Sequence, residues 1–213
     1  MPSLRLEKKL LAQGYRLVAG IDEAGRGAWA GPVVAAAVIL PLDNPKLSSL
    51  LSGVNDSKQL TAPQRDRLFE VIHSVAISIG IGGAGPGEVD GDGLLPATRQ
   101  AMQRAVARLN PQPAALLIDA VNLQSLIALP QRFLNYGDSI SLSIAAASII
   151  AKVSRDRAMC ALDARYPGYH FARHKGYGTA AHRAALEQLG VSAVHRKSYR
   201  PIRSLLTCNQ NLP

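Results

Sequence analysis

Cysteine is almost missing from this sequence: Cys160 and Cys208 are the two in 213 residues. Neither number nor spacing suits a disulfide framework or a thiolate metal site. Cys160 falls inside a helical pattern and is expected to be a buried core residue. Long apolar runs are missing too. None approaches the roughly 18 residues of a membrane span, and the stretch Met1–Lys9 is too charged for the centre of a signal peptide. The expected compartment is therefore the cytoplasm. His170, His174, His182 and His195 lack HExxH or any comparable metal spacing. His170 and His174 are candidates for phosphate contact, with plain surface positions an equal alternative. There is no internal repeat and no low-complexity linker, so a single domain over 1–213 is the simplest organisation. Hydrophobic residues, at 47%, suffice to fill its core.

Acidic residues are in short supply, 15 against 24 lysines and arginines, for a net charge of +9. A surplus of that size favours a polyanionic partner. It is concentrated late in the chain: Lys152 to Arg203 holds eleven basic residues against Asp156, Asp163 and Glu187, a net +8. Tyr166, Tyr169, Phe171, Tyr177 and Tyr199 are interleaved with them. Phosphates meet charge and rings stack on sugar or base, so this mixture suits nucleic acid. An anionic membrane surface fits less well, because no strongly amphipathic basic helix is present. The region from about 166 to 213 is accordingly expected to be a basic helical extension that binds substrate.

The stretch from Leu17 to Leu40 organises the rest. It reads as an apolar strand, a glycine-rich turn and a second apolar strand ended by Pro41. Asp22 and Glu23 sit where the first run stops. Adjacent carboxylates at the end of a buried strand repel each other and resist desolvation, and hard oxygen donors of this kind suit Mg²⁺ or Mn²⁺. A turn cap is the plainer alternative. Gly25, Gly27 and Gly31 surround Arg26 and leave backbone N–H groups open to a phosphate or hydroxyl. Ala114–Asp119 is a short apolar strand, again ending in a carboxylate, of the type covered on both faces. Asp138 follows Gly137 just before the longest helical pattern, Ser141 to Arg165. Taken singly, Asp119 reads as a strand-end turn residue and Asp138 as a helix-entry cap. Together with Asp22 and Glu23 they make an acidic cluster able to hold two divalent ions at a phosphodiester.

Further helices are expected over Leu4–Gln13, Pro63–His73, Leu94–Leu109 and Thr179–Leu189, and a third strand over Val75–Ile81. Ser125–Leu129 and Arg132–Asn135 read as extended segments. Pro41–Val54 reads as a loop, and Gly82–Gly93, with six glycines, as a mobile one. This order predicts an α/β fold with a mixed central sheet flanked by helices. In the glycine loop Glu88, Asp90 and Asp92 are expected to be solvated. Asp156, within Ser154-Arg-Asp-Arg157, is a secondary candidate near the metal site, with an ion pair to Arg155 or Arg157 the commoner role.

Gly20-Ile-Asp-Glu-Ala-Gly-Arg-Gly27 with Ala30-Gly-Pro32 resembles the signature of the ribonuclease HII (type 2 ribonuclease H) family. The likeness continues at Asn55-Asp-Ser-Lys-Gln-Leu60, Leu117-Ile-Asp119, Gly137-Asp138 with Ser141 through Arg157, His174-Lys-Gly-Tyr-Gly-Thr179 and His195-Arg-Lys-Ser-Tyr199. Six blocks in family order cover about Leu17 to Arg203. The resemblance implies a ribonuclease H-like fold with a small helical C-terminal part. It implies Asp22, Glu23, Asp119 and Asp138 as the catalytic, metal-binding carboxylates, with Mg²⁺ or Mn²⁺, two ions during catalysis. It implies that Gly25, Arg26 and Gly27 read the ribose 2′-hydroxyl, that Tyr177 stacks on the next sugar, and that Lys58 and Lys175 contact phosphates. A buried core tyrosine and solvent-exposed lysines are the plain alternatives.

The implied reaction is endonucleolytic hydrolysis of RNA in RNA–DNA hybrids and nicking 5′ of a ribonucleotide embedded in DNA, leaving 3′-hydroxyl and 5′-phosphate ends. Four positions depart from the family pattern: Ala120 where glycine is usual, Tyr136 where lysine often stands, Trp29 for a smaller aliphatic, and Gly93 for asparagine. One rival is another two-metal nuclease of this fold, such as a junction resolvase; the 2′-hydroxyl-reading glycines and Tyr177 oppose it. A second is a non-catalytic hybrid-binding module, which the full carboxylate set opposes. The leader before Leu17 is too short for the extra N-terminal domain of the type 3 enzymes. A monomer is expected. Ser204–Pro213 carries no Gln-x-x-hydrophobic-x-x-aromatic-aromatic motif for a sliding clamp.

Overall fold

The computed structural model describes residues 1–209. The last four residues of the tail, where a clamp motif was sought, lie outside the described residues. The chain begins with α1 (Arg5–Ala12), then β1 (Val18–Ala24) and β2 (Val33–Ile39). After β2 come a short helix α2 (Leu47–Leu50), a 3₁₀ turn Ser57–Gln59 and α3 (Ala62–Val75). β3 (Ser78–Ala84), α4 (Pro86–Asp92) and α5 (Leu94–Ala107) follow, and lead to β4 (Ala115–Asp119) and β5 (Gln131–Leu134). A second 3₁₀ turn, Gly137–Ser139, precedes α6 (Leu142–Arg165). The chain closes with α7 (Phe171–His174), α8 (Ala180–Leu189) and α9 (Arg200–Asn209).

The strands form one mixed sheet in the order β3-β2-β1-β4-β5. β1 is its centre, antiparallel to β2 and parallel to β4. Alternation along the strands divides the core. Val18, Ala36, Val38 and Leu117 face α6 and α3, while Ala19, Ile21, Ala35, Ala37, Leu116 and Ile118 face α5. The α/β class and flanked mixed sheet are therefore as expected. A third cluster, built on Ala30, Met159, Tyr169, Phe171, Ala185, Leu186 and Ile202, joins α7, α8 and α9 to the end of α6.

Helix α6 passes so close to β1 that a Cβ on Gly20 would lie 2.1 Å from the Ser143 carbonyl carbon. Its N-terminus is capped by the Ser141 hydroxyl, which accepts from the Ile144 N–H. Glu7 of α1, fully buried, accepts from the Ser141 and Ser143 hydroxyls and the Ser143 N–H. These contacts tie the N-terminal helix to the start of α6, whose cap Ser141 lies three residues beyond Asp138.

Several expectations need correction. The glycine stretch 82–93 is no loop: Gly82–Ala84 end β3, and Pro86–Asp92 form α4. Gly82, and Gly80 just before the stretch, serve close packing. A Cβ on Gly82 would lie 2.1 Å from the Ala101 carbonyl oxygen, and one on Gly80 2.0 Å from that of Ala105. A larger residue would push α5 off the sheet. The third strand starts at Ser78, because α3, begun with a Thr61–Gln64 capping box, runs on to Val75. Of the two extended segments before Asp138, the second alone forms a strand, at Gln131–Leu134. The loop after β2 contains α2, and α7 and α9 were not foreseen. Cys160 is exposed rather than buried. No described helix is long and apolar enough to cross a membrane.

Candidate active site

The parallel pairing of β1 with β4 builds the site. Its register sets Gly20 beside Leu117 and Ile21 beside Ile118, so Asp22 and Asp119 follow side by side at the strand ends. Side-chain alternation points both toward the α6 face. Asp22 and Glu23 lie within the last three residues of β1 rather than beyond it. Asp138 comes to the same place from the 3₁₀ turn before α6. The Asp119 carboxylate accepts the Gly137 N–H at 2.7 Å, which fixes that turn against β4. A recess of about 380 Å³ opens here, lined by Asp22, Glu23, Asp119, the Gly25–Gly27 loop, Ser57, Lys58, Ser148, Lys152 and Tyr177.

Electrostatics mark these carboxylates as strained for charge. Burial pushes Asp22 well above the usual carboxylate range, and the neighbouring Glu23 and Asp119 push it further. Burial also raises Glu23, against the pull of Arg26, and raises Asp119 against the Gly137 N–H and Lys58. Asp138 is raised by burial, then by Asp56 and Asp119. Two ion pairs bring positive charge to these carboxylates: Arg26 Nη1 stands 3.2 Å from Glu23 Oε1, and Lys58 Nζ 3.8 Å from Asp138 Oδ2. The other Glu23 oxygen, Oε2, is buried with no hydrogen-bond partner.

This donor set fits a divalent cation. The oxygens are hard, they repel one another, and one is buried with nothing to bind. Among the described residues, though, no three aspartate, glutamate, histidine or cysteine groups are drawn together tightly enough to hold an ion as they stand. Arg26 and Lys58 balance the charge instead.

The sugar-reading candidates lie on the rim. Gly25 has φ +94°, and a Cβ there would meet Arg155 Nε at 1.9 Å. Gly27 faces open space, with nothing within 4 Å of its would-be Cβ. Tyr177 is 36% exposed. Arg155 lies 5.3 Å from its ring centroid and Lys152 5.8 Å, so the ring is held on cations, not sunk in the core. Lys58 is exposed at the rim. Lys175 adopts φ +52° and its ammonium bonds back to the Ala172 carbonyl. Asp156 pairs with Lys152 at 2.7 Å, not with Arg155 or Arg157.

Three groups escaped the sequence reading. Arg155 is fully buried and has no acidic partner within bonding distance among the described residues. It donates to Pro32 and Ala30 carbonyls at 3.0 and 3.2 Å, bracing the loop between β1 and β2 that carries Gly25–Gly27. Asp56 stands beside Asp138; its place in Asn55-Asp-Ser-Lys58 was the available signal. Asp90, expected to be solvated, accepts from the Lys197 and Ser198 N–H groups at 2.8 Å each and anchors the basic segment. His174 is buried rather than on the surface, so it offers no phosphate contact.

The four departures sit in distinct settings, and nothing in the structure explains the alanine at 120 or the tyrosine at 136. Ala120 takes φ +50° and Gly93 φ +90°, conformations easiest for glycine. Tyr136 is 80% exposed with φ +57°. Trp29 packs over Gly178, where a Cβ would lie 2.1 Å from its ring.

The family model for ribonuclease HII matches residues 19–201 of this chain. A ribonuclease HII of Chloroflexus aurantiacus is 53% identical over 212 residues, covering 99% of this chain and all of that protein. The fold is similar to the ribonuclease H2 of Pyrococcus horikoshii, at TM-score 0.77 and 25% identity, covering 92% of this chain and 100% of that one. It is also similar to the ribonuclease HII of Archaeoglobus fulgidus solved as a complex with PCNA, at TM-score 0.74 and 26% identity, covering 86% of this chain and 95% of that one.

Proposed function

Because the chain belongs to the ribonuclease HII family, we propose that Asp22, Glu23, Asp119 and Asp138 are the carboxylates with which it cleaves its substrate. It is a metal-dependent endoribonuclease acting on RNA–DNA hybrids. The proposed cofactor is Mg²⁺ or Mn²⁺, two ions held by these four side chains. When bound, such ions activate water and stabilise the charge on the phosphate and the leaving 3′ oxygen.

The observation that carries the proposal is the parallel β1–β4 register, which sets Asp22 beside Asp119 within one recess shared with the glycine loop and Tyr177. The side chains divide the labour. The four carboxylates supply negative charge that repels phosphate unless it is balanced. Arg26 and Lys58 balance it without substrate, and Lys58 then turns to a phosphate. The backbone of Gly25, Arg26 and Gly27 meets the 2′-hydroxyl, the group that separates RNA from DNA. Tyr177 stacks on the neighbouring sugar, so the strand is gripped on both sides of the scissile bond. Lys175, with the rest of the basic region 166–213, holds the duplex by its phosphates.

Chemistry and recognition in this arrangement produce a nick 5′ of a ribonucleotide embedded in DNA, with 3′-hydroxyl and 5′-phosphate ends. The protein acts as a monomer. The decisive assay is an end-labelled DNA duplex containing one ribonucleotide, incubated with Mg²⁺ or Mn²⁺. One cut 5′ of the ribonucleotide is the expected product. Cleavage of all-DNA junctions with no cut at the ribonucleotide would overturn the proposal.

A further inference from the structure

Beneath Tyr177 lie three buried histidines. His182 and His195 are 0% and 1% exposed, and His174 is 8% exposed. Their hydrogen bonds assign each ring nitrogen. The Tyr177 carbonyl only accepts, so His182 Nδ1, 3.0 Å away, carries a proton. The Ser192 N–H donates to His195 Nδ1 at 3.0 Å, so the proton of His195 sits on Nε2. His195 Nε2–H then donates to His182 Nε2 at 3.0 Å. His174 is set the same way: Nε2–H donates to the Tyr169 carbonyl at 2.7 Å, and Nδ1 accepts the Gly176 N–H at 3.2 Å. A neutral imidazole has one donor and one acceptor, and in these bonds each histidine uses both. Burial, joined for each by a neighbouring histidine, holds His182 and His195 down at about 4, so both are neutral near pH 7.

This chain closes a triangle around the substrate-reading elements. On one side, Trp29 and Ala30 N–H groups donate to the Gly176 carbonyl at 2.8 and 3.3 Å, beside Tyr177. On the second, Ala30 pairs with His195, the Gly31 N–H donates to the Val194 carbonyl at 2.8 Å, and the Arg196 N–H to that of Trp29 at 2.8 Å. The third side is the His195–His182–Tyr177 relay. Filling space alone would not require it: an apolar side chain among Phe171 and Trp29 does so without the cost of burying a polar group.

We propose that His182 and His195 are positioning residues that set Tyr177 relative to the Gly25–Gly27 loop, and so govern selectivity for an isolated ribonucleotide. This rests on the reading of Tyr177 as the platform for the neighbouring sugar. His182 acts by holding the Tyr177 carbonyl, and His195 acts by keeping His182 in the tautomer that can do so.

The test compares cleavage of a duplex with one ribonucleotide against one with a continuous RNA tract, in His182→Leu, His182→Asn, His195→Leu and Tyr177→Ala. His182→Leu removes the donor. His182→Asn places an amide N–H near the lost Nδ1–H. The expected result is a single-site to tract ratio of kcat/KM that falls about tenfold in His182→Leu, less than in Tyr177→Ala. His182→Asn should recover most of it, and His195→Leu should fall between. A folded His182→Leu with an unchanged ratio, while Tyr177→Ala lowers it, overturns the inference and leaves the platform reading standing. An unchanged ratio in Tyr177→Ala overturns both. The unaltered protein gives an independent check that needs no variant to fold. Nitrogen-15 spectra of the imidazoles at pH 7 should show a proton on Nδ1 of His182 and on Nε2 of His174 and His195. The opposite tautomer at His182 overturns the inference.

Discussion

Arg26 donates Nη1 to Glu23 Oε1 at 3.2 Å, while the second oxygen of that carboxylate is buried without a partner. A side chain from the loop assigned to reading the sugar therefore restrains a carboxylate assigned to the chemistry. Sequence separation makes this contact possible: three residues span the turn that leaves β1. Recognition and charge balance are coupled at this corner, so a change in one is felt by the other.

The carboxylates make the metal-free fold sensitive to pH. Asp22, Glu23, Asp119 and Asp138 are all raised, first by burial. A raised value means the folded chain binds protons more tightly than the unfolded one. Their contribution is fully present below about pH 4 and is lost as pH rises through the raised values. Asp22→Asn should thus melt higher than the unaltered protein at pH 7.5 in EDTA, by about 2–4 °C for each kcal/mol of repulsion relieved. Mg²⁺ should raise the melting temperature of the unaltered protein more than that of the variant. Cleavage by Asp22→Asn or Asp119→Asn should largely vanish while hybrid binding persists. Near-normal cleavage at saturating Mg²⁺ would falsify the assignment.

Two glycines should respond oppositely to alanine. Gly20→Ala drives a methyl group into the Ser143 backbone. It should cost about 1–3 kcal/mol, as overpacking does, and be seen as an earlier denaturant midpoint. Gly27→Ala meets no protein atom within 4 Å. It should leave the midpoint in place and weaken cleavage, because the methyl group occupies space needed by the sugar. A destabilised Gly27→Ala would show that this glycine serves the fold.

The basic C-terminal third should make binding strongly salt-dependent through counterion release. Lys197→Ala removes an exposed ammonium while leaving its N–H on Asp90. Affinity for hybrid and for all-DNA duplex should fall alike, and the slope of log K against log salt should shrink by roughly 0.9 if one phosphate contact is lost. Lys175→Ala should behave similarly. Titrations at several salt concentrations decide it, and a flat dependence removes this face as the docking surface.

Tyr177 separates junction recognition from cleavage. Its ring is partly exposed above Arg155 and Lys152, so Tyr177→Ala should fold. A stack is worth about 1–3 kcal/mol, which predicts roughly a tenfold to hundredfold loss at a single embedded ribonucleotide. An RNA tract offers further ribose contacts and should suffer less. Equal losses on both substrates would make the tyrosine structural.

Sequence alone determined the class of fold and the identities of the candidate groups. Hydrophobic runs ending in carboxylates marked β1 and β4, because an apolar strand buried on both faces has few other patterns. The blocks around Gly20–Gly27, Asp119, Asp138 and Tyr177 named the candidates in order.

Tertiary structure decided what depends on approach. In sequence Gly80 reads as part of a strand and Gly82 as a loop former, but α5 lies on both, and only a missing Cβ admits a helix backbone so close. Asp156 lay between two arginines in sequence yet pairs with Lys152, because i and i+4 share a helix face while i and i±1 do not. His174, His182 and His195, scattered over 22 residues, meet only because α7, α8 and the segment before α9 fold onto the end of α6: His182 and His195 share a hydrogen bond, and His174 stacks on His182. Spacing along the chain carries no trace of such a meeting. It arises when long-range packing brings groups from separate elements into hydrogen-bond range.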